Sequence, residues 1–187
     1  RLSLLLAAST TLALLALGLP VAHWLTTTRR RWRILVEAVV ALPLVLPPTV
    51  LGFYLLVAFG PRSPLGRAFV AATGHTLAFS FEGLLLASIL YSLPFAVQPF
   101  AAALARVDRR LVEASYALGE SRFGTFRRVT LPLALPGVVA GAVLAFAHTL
   151  GEFGVVLMVG GNLPGEPRTL SISIIDAVEQ LDYAAAG

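Results

Sequence analysis

The sequence predicts an all-α membrane protein, a polytopic helical bundle with four complete membrane spans. Of its 187 residues, 57% are hydrophobic and only 13% are charged, and the mean hydropathy is +0.84. Soluble domains are typically about 45–50% apolar and about 25% charged, because they must present a polar surface to water. A helix needs about 20 apolar residues to cross the hydrocarbon core of a bilayer. Four segments reach that length, and they are residues 2–24, 34–59, 84–105 and 135–159.

The first apolar segment, residues 2–24, is predicted to be a retained span and not a signal peptide. Its length of about 23 residues exceeds the roughly 7–15 residues of a signal-peptide core, and no small-residue cleavage site follows it. The chain starts at Arg1 without a methionine, and residues 183–187 are mostly small and apolar. We therefore expect a missing segment at each end, including a fifth span after Gly187.

The second apolar segment is expected to kink or break because it contains Pro43, Pro47 and Pro48. Each proline removes a backbone donor and clashes with the preceding turn of a helix. Broken backbone at membrane depth persists only where protein surrounds it or where it lines a watery cavity. The cluster therefore predicts a pathway or a helix crossing. Pro94 and Pro99 mark the third span in the same way, although prolines are also generally common in membrane helices.

Arginines are concentrated in two of the connections between spans. The connection after the first span contains Arg29, Arg30, Arg31 and Arg33, and the one after the third contains Arg106, Arg109, Arg110, Arg122, Arg127 and Arg128. Residues 60–83 contain only Arg62 and Arg67, and residues 160–187 contain only Arg168 beside four acids. Because cytoplasmic loops are enriched in basic residues, residues 29–33 and 106–134 are predicted to be cytoplasmic. The N-terminus is then outside.

Two ionisable residues, His148 and Glu152, lie inside the fourth apolar segment. Their i, i+4 spacing predicts that they share one helix face. An ionisable group near the centre of a membrane helix costs roughly 2.5–3.5 kcal/mol, so such groups usually face a bundle interior or water. We expect Glu152 to face a translocation cavity or to hold a gate by hydrogen bonding to a neighbouring helix. Organising helices is favoured over contacting substrate, and two ligands are too few for a zinc site.

The sequence contains no lysine and no cysteine. A P-loop requires its lysine to contact the β- and γ-phosphates of a nucleotide, so this chain carries no P-loop. If the process is driven by ATP, another polypeptide must hydrolyse it, and no cofactor is expected on this chain. The absence of cysteine also excludes disulfides and thiolate chemistry.

The longest arginine-rich connection, residues 106–134, contains a spaced motif. It reads Glu113-Ala-Ser-Tyr-Ala-Leu-Gly119, then nine residues, then Val129-Thr-Leu-Pro132. Apolar and small residues before the glycine recur near helical spacing. Gly119 suits the left-handed position that ends many helices. A second short helix is expected over residues 122–129, ended by Pro132.

This motif resembles the EAA loop of ABC importer permeases, which reads Glu-Ala-Ala, three residues, Gly, nine residues, Ile, one residue, Leu-Pro. Ser115 and Val129 stand where that pattern has alanine and isoleucine. The resemblance implies a coupling helix that docks on a separate ATPase subunit. The residues that it assigns to this coupling are Glu113, Ala114, Ser115, Gly119, Val129, Leu131 and Pro132. The alternative is an amphipathic interfacial helix whose basic residues contact lipid headgroups.

Two further segments narrow the resemblance to molybdate permeases. Residues 42–53 resemble the second span of that family, and Gly151-Glu-Phe-Gly154 with residues 160–169 resembles its fourth span and the following external loop. Both segments are shared in part with sulfate-type permeases. The resemblance implies one transmembrane permease domain over residues 1–187, with the type I importer fold, in the bacterial cytoplasmic membrane. Its expected substrate is molybdate, with sulfate, tungstate or another oxyanion as alternatives.

The resemblance also implies partners and a mechanism. The partners are an ABC ATPase subunit, an external substrate-binding protein, a second copy of the permease and membrane lipid, with no nucleic acid. Transport would proceed by alternating access along a pathway between the two copies. A tetrahedral dianion is held by backbone donors and helix N-termini. The residues that we expect in the pathway or gate are Pro47, Thr49, Ser92, Gly151 and Glu152.

Two other classes of membrane protein compete with this interpretation. A secondary transporter often contains inverted repeats of its helices, and none is visible in this sequence. A membrane enzyme usually requires clustered acids or a nucleophile with a base near the interface. The external acids are the only cluster, and no nucleophile and base accompany it; they are Glu166, Asp176, Glu179 and Asp182.

Overall fold

The computed structural model describes residues 1–161 and 169–181, and every regular element in that part of the chain is helical. The helices are α1 (Leu2–Thr27), α2 (Arg33–Val45), α3 (Pro48–Phe59), α4 (Pro64–Thr73), α5 (Phe81–Ala105), α6 (Arg109–Ala117), α7 (Arg122–Thr125), a π-helical turn (Phe126–Thr130), α8 (Leu131–Gly151), α9 (Gly154–Gly160) and α10 (Leu170–Glu179). The predicted all-α class is confirmed.

Three helices of the described chain are long and apolar enough to cross a membrane. They are α1, α5 and the continuous helix Arg122–Gly151, and the bent pair of α2 and α3 makes a fourth if it counts as one span. The protein is therefore a multi-pass membrane protein. The predicted fifth span lies outside the described residues, as does most of the external loop 160–169.

Helix α5 is the centre of the bundle, because it packs against α1, α8, α2 and α9. Its Phe100 side chain is fully buried, and Val97 on the same helix is 1% exposed. Leu14 of α1 and Val138 of α8 belong to the same buried cluster. The outward faces of α1, α2 and α8 keep large apolar side chains exposed. That arrangement is typical of helices that face lipid on one side and protein on the other.

The second span is broken, as the prolines predicted. Helix α2 ends at Val45, and α3 begins at Pro48 with an axis 111° away. Pro47 and Pro48 follow each other without a backbone N–H, so the ladder of i→i−4 hydrogen bonds stops there. Pro94 and Pro99 do not have this effect, since α5 continues through both. Neighbouring helices on several sides of α5 compensate for the isolated loss at each proline.

The fourth span differs from the predicted segment 135–159 at both ends. The helix starts much earlier, at Arg122, and it ends at Gly151, so that α9 is a separate short helix. Pro132 was expected to end the second short helix, but the helix continues through it. Pro132 lies in the first turn of α8, where its missing N–H is tolerated. The Leu131 N–H bonds to the Phe126 carbonyl through the π-helical turn, which keeps the helix continuous.

Candidate functional site

The two helix breaks in the membrane region touch each other. Helix α3 packs along α9, and glycines allow their backbones to approach closely. A methyl group added at Gly154 would lie 2.7 Å from Pro48 Cβ, and one added at Gly52 would lie 2.8 Å from Met158 Cβ. The start of α3, just after the proline break, is therefore in close contact with the start of α9, just after the break that follows α8.

Glu152 lies in the break between α8 and α9, and its side chain is directed to the start of α9. The residue is 8% exposed, and its backbone is extended, with ψ at 131°. Its Oε1 atom accepts a hydrogen bond of 2.8 Å from the Val155 N–H. The first N–H groups of a helix have no partner within the helix, so this carboxylate satisfies one of them and complements the helix dipole. Glu152 thus organises the break.

The predicted shared face of His148 and Glu152 stays a prediction, because α8 ends at Gly151 and Glu152 is the residue that caps it. The break after Glu152 was not predicted, since the fourth span was expected to continue to residue 159. The Gly-Glu-Phe-Gly sequence was the available signal, since a glycine on each side of an acid favours a break over a continuous helix.

Four of the five predicted pathway residues belong to the two breaks. Pro47 and Thr49 are exposed at the start of α3. Gly151 is exposed at the end of α8, with no other side chain within 4 Å of the position a Cβ would occupy. Glu152 is buried beside it. The structure brings these residues to one region of the bundle.

The fifth residue, Ser92, belongs to a different cluster, which ties α5 to α8. Its Oγ lies 3.0 Å from His148 Nδ1 and 2.9 Å from Thr149 Oγ1. The Thr149 hydroxyl donates to the Ala145 carbonyl at 2.9 Å. Because each hydroxyl has one proton, Ser92 donates to Thr149, and the His148 Nδ1–H donates to Ser92.

Aromatic rings enclose His148 in this cluster. Phe95 stacks on the imidazole at 3.7 Å between ring centroids, and Tyr91 is tilted against it at 5.0 Å. Sequence reasoning missed Thr149 and both aromatic residues. The signal that could have found the two aromatic residues is the spacing of Tyr91 and Phe95, which lie one turn apart on α5.

Helix α6, in the arginine-rich connection, has no buried residue, and only Val112 and Ser115 are half-buried. Asp108 caps its first turn by accepting from the Arg110 N–H at 2.8 Å. At the other end Gly119 has φ of +86°, and its N–H bonds to the Tyr116 carbonyl while the Glu120 N–H bonds to the Ser115 carbonyl. These bonds form a Schellman motif, so the predicted left-handed glycine stop is confirmed.

Two side-chain contacts join this exposed region to the long helix Arg122–Gly151. Ser115 Oγ lies 2.9 Å from Thr125 Oγ1, and Arg128 pairs with Glu120 at 3.1 Å. These contacts connect α6 and the turn after it to the helix that ends at the break.

The predicted coupling residues divide between the outer and inner sides of this region. Glu113, Ala114, Gly119 and Pro132 are exposed, and Glu113 pairs with Arg109 at 2.9 Å. Ser115, Val129 and Leu131 are half-buried. Two large apolar side chains missed by sequence reasoning are exposed beside the motif, Leu118 at 89% and Phe123 at 74%. Exposed apolar side chains that lie close together are typical of surfaces that contact a protein partner or a membrane.

Metal chemistry has no evident place among the described residues. In residues 1–161 and 169–181, no group of three or more histidine, aspartate or glutamate side chains is arranged to hold a metal ion. Of the external acids considered for a membrane enzyme, Glu166 and Asp182 lie outside those residues.

Residues 14–186 match the family described as the binding-protein-dependent transport system inner membrane component. The chain belongs to this family. It is 52% identical over 186 residues to the molybdenum transport system permease protein ModB of Azotobacter vinelandii, covering 100% of this chain and 82% of that protein. It is 43% identical over 145 residues to the ModB protein of Escherichia coli K12, covering 78% of this chain and 63% of that protein.

A relative named for a different anion is also similar to this chain. The probable sulfate transport system permease protein cysT of Chlorella vulgaris is 36% identical over 164 residues, which cover 87% of this chain and 61% of that protein. The family match confirms the predicted resemblance to ABC importer permeases, and the ModB relatives confirm its narrowing to molybdate permeases.

Proposed function

We propose that this chain is the membrane-spanning permease subunit of an ATP-driven importer that carries molybdate inward. The observation that carries this proposal is the 52% identity to a molybdenum permease across the whole chain. Residues 1–187 then form a single permease domain with the type I importer fold. The coupling loop of residues 106–134 faces the cytoplasm of a bacterial cell, and the N-terminus is outside.

Coupling to ATP hydrolysis begins in this proposal at α6. The ATPase subunit docks on the exposed face that contains Glu113 and Ala114, with the exposed Leu118 and Phe123 side chains at its edge. The contacts of Ser115 and Glu120 with the long helix pass the movement on. That helix has 30 residues, about 45 Å at 1.5 Å per residue, so it spans the bilayer.

The far end of the long helix is where the proposal places the pathway and gate. Gly151 and Glu152 end this helix, and the adjoining α9 is in direct contact with the start of α3. The N-terminus of α3, where Pro47 and Thr49 are exposed, offers the Thr49 N–H and a positive dipole end to a passing oxyanion, while Pro47 and Pro48 have no N–H. Ser92 is buried, so its proposed role is to hold α8 against α5 while the gate moves.

The proposed transporter has three further components. They are a separate ATPase, an external binding protein and a second copy of the permease. The ATPase is needed because this chain contains no lysine and therefore no P-loop to bind the nucleotide. Transport follows alternating access between the two copies.

The proposal is tested by uptake of labelled molybdate into proteoliposomes that contain the full-length protein, its ATPase and its binding protein. We expect uptake that depends on ATP and is unaffected by unlabelled sulfate. Uptake without ATP dependence would refute the importer assignment.

A second candidate substrate is sulfate, favoured by the 36% identity to the Chlorella vulgaris protein. In the same assay, strong competition by unlabelled sulfate would support the assignment as an importer but would make sulfate its substrate in place of molybdate. Unlabelled tungstate, added in a parallel reaction, distinguishes an oxyanion importer that accepts any tetrahedral dianion from one selective for molybdate.

A further inference from the structure

The connection between α1 and α2 concentrates positive charge around a cavity. The cavity has a volume of about 390 Å³ and is lined by Thr28, Arg29, Arg30, Arg31, Arg33, Ile34 and Glu37. Glu37 accepts a hydrogen bond of 2.8 Å from Arg33 Nε and neutralises that arginine. Four arginines and one glutamate leave an excess of three positive charges. In the described chain no carboxylate lies within ion-pairing distance of Arg29, Arg30 or Arg31.

Two tryptophans place this cluster at the depth of lipid headgroups. Trp24, near the end of α1, meets Trp32, just before α2, edge to face with ring centroids 6.3 Å apart. Trp32 remains 55% exposed. Tryptophan is enriched where the hydrocarbon core meets the headgroups. Arg29, Arg30 and Arg31 lie between these two residues in the chain, and Arg33 follows Trp32, which fits a position of the guanidinium groups near the headgroups.

A second, largely apolar cavity lies beside the first, between α2 and α5. It has a volume of about 300 Å³ and is lined by Leu25, Glu37, Val40, Ala41, Val97, Gln98 and Ala101. Glu37 lines both cavities. The gap exists because α2 packs on α5 and scarcely on α1. The apolar cavity is a groove along α2, and the two cavities together extend about 12 Å along that helix, from Arg33 to Ala41.

We propose that the two cavities together form a binding site for an anionic phospholipid. Its phosphate lies on Arg29, Arg30 and Arg31, and one acyl chain lies in the apolar cavity between α2 and α5. Guanidinium groups match phosphate oxygens with paired hydrogen bonds, and basic pockets between membrane helices bind anionic headgroups. A free oxyanion accounts for the arginines but not for the apolar cavity. In the proposed orientation the lipid belongs to the cytoplasmic leaflet.

The site is tested by native mass spectrometry of the purified full-length protein titrated with phosphatidylglycerol, using phosphatidylcholine as the neutral lipid. We expect preferential retention of phosphatidylglycerol. Replacing Arg29, Arg30 and Arg31 together with glutamine is expected to weaken its binding by about tenfold or more, since each basic residue near the headgroups adds attraction. Neither ATP nor transport substrate is present, so the result is independent of the proposed transport function.

A matched control separates this site from a general effect of charge. The same number of arginines is removed from exposed positions elsewhere on the arginine-rich side by replacing Arg106, Arg110 and Arg127 with glutamine. This variant is expected to keep the lipid preference. The proposal would be overturned if both triple variants lost the same amount of phosphatidylglycerol binding. It would also be overturned if the variant without Arg29, Arg30 and Arg31 kept its preference for phosphatidylglycerol.

The apolar cavity is tested without changing charge. Ala41→Leu fills the groove and is expected to reduce lipid retention, and unchanged retention would count against the acyl chain lying there. Because the sequence contains no cysteine, Ala41→Cys introduces a unique thiol. A disulfide-linked dimer formed through that thiol in membranes would assign the groove to a second copy of the chain and overturn the lipid proposal.

Discussion

The two ends of the long helix Arg122–Gly151 are built in opposite ways. At one end α6 has no buried residue, and its limits are set by its own caps, Asp108 and Gly119. At the other end α9 is largely buried, and its position depends on contact with α3. The exposed end is suited to receiving a partner, and the buried end to responding as one packed unit. Substitutions that disturb the two ends should therefore separate stability from coupling.

Among the substitutions that test this comparison, the largest loss of stability is expected at the contact between the two breaks. Gly154→Ala places a methyl group 2.7 Å from Pro48 Cβ, so α3 and α9 must move apart. Overpacking of this kind costs typically about 1–3 kcal/mol. The measurement is thermal unfolding of the purified protein in detergent. The matched control is Gly151→Ala, three residues away, where the added methyl group meets nothing within 4 Å. A Gly154→Ala variant as stable as this control would show that the contact is not close-packed.

A smaller loss of stability is expected from Glu152→Ala. The change removes the carboxylate that accepts from the Val155 N–H, and loss of a helix cap costs about 0.5–2 kcal/mol. Glu152→Gln retains an acceptor oxygen, so it should recover much of the stability.

The two substitutions at Glu152 also test the gate in the uptake assay. If the charge itself holds the gate, Glu152→Gln lowers uptake while leaving unfolding nearly unchanged. Normal transport by Glu152→Gln would exclude a gating role for the charge. The role of Glu152 would then be limited to accepting the hydrogen bond from the Val155 N–H at the start of α9.

A loss of about 0.6 kcal/mol is expected from Ser92→Ala, the average value for side-chain hydrogen bonds between membrane helices. The substitution leaves the His148 Nδ1–H without its acceptor. Ser88 on the same helix provides the control, because it is 1% exposed and its hydroxyl has no hydrogen-bond partner within the described chain. Ser88→Ala should be neutral or stabilising, and equal unfolding temperatures for the two variants would contradict a role for the Ser92 cluster.

The smallest effect on stability is expected at the exposed end, from Ala114→Trp. Ala114 is exposed on α6, so a larger side chain meets no neighbour within the subunit. Unfolding should be unchanged, whereas ATP-dependent uptake and co-purification of the ATPase should be lost, because the side chain obstructs docking. Val139→Trp, at an exposed site on the lipid-facing side of α8, is the control and should retain the ATPase. Normal co-purification by Ala114→Trp would refute the proposed docking face.

Local features of this protein could be predicted because their causes are close together in the chain. Pro47 and Pro48 break the second span wherever it packs, since neither has a backbone N–H to donate. Gly119 ends α6 through hydrogen bonds that reach no further than five residues. The end of the fourth span was misplaced, because hydropathy continues past Gly151 while the helix does not.

Composition, prolines and motif spacing were enough to predict the membrane class, the approximate spans, the glycine stop at Gly119 and the family motif. Three contacts became apparent only in the folded chain: α3 lies on α9, Ser92 meets His148, and a groove separates α2 from α1. The cause is the apolar solvent around the helices. In lipid both the buried and the outward faces of a helix are apolar, so periodicity gives little indication of which face is packed. Helix partners then depend on small residues and isolated polar groups, whose matches between distant segments appear only once the chain is folded.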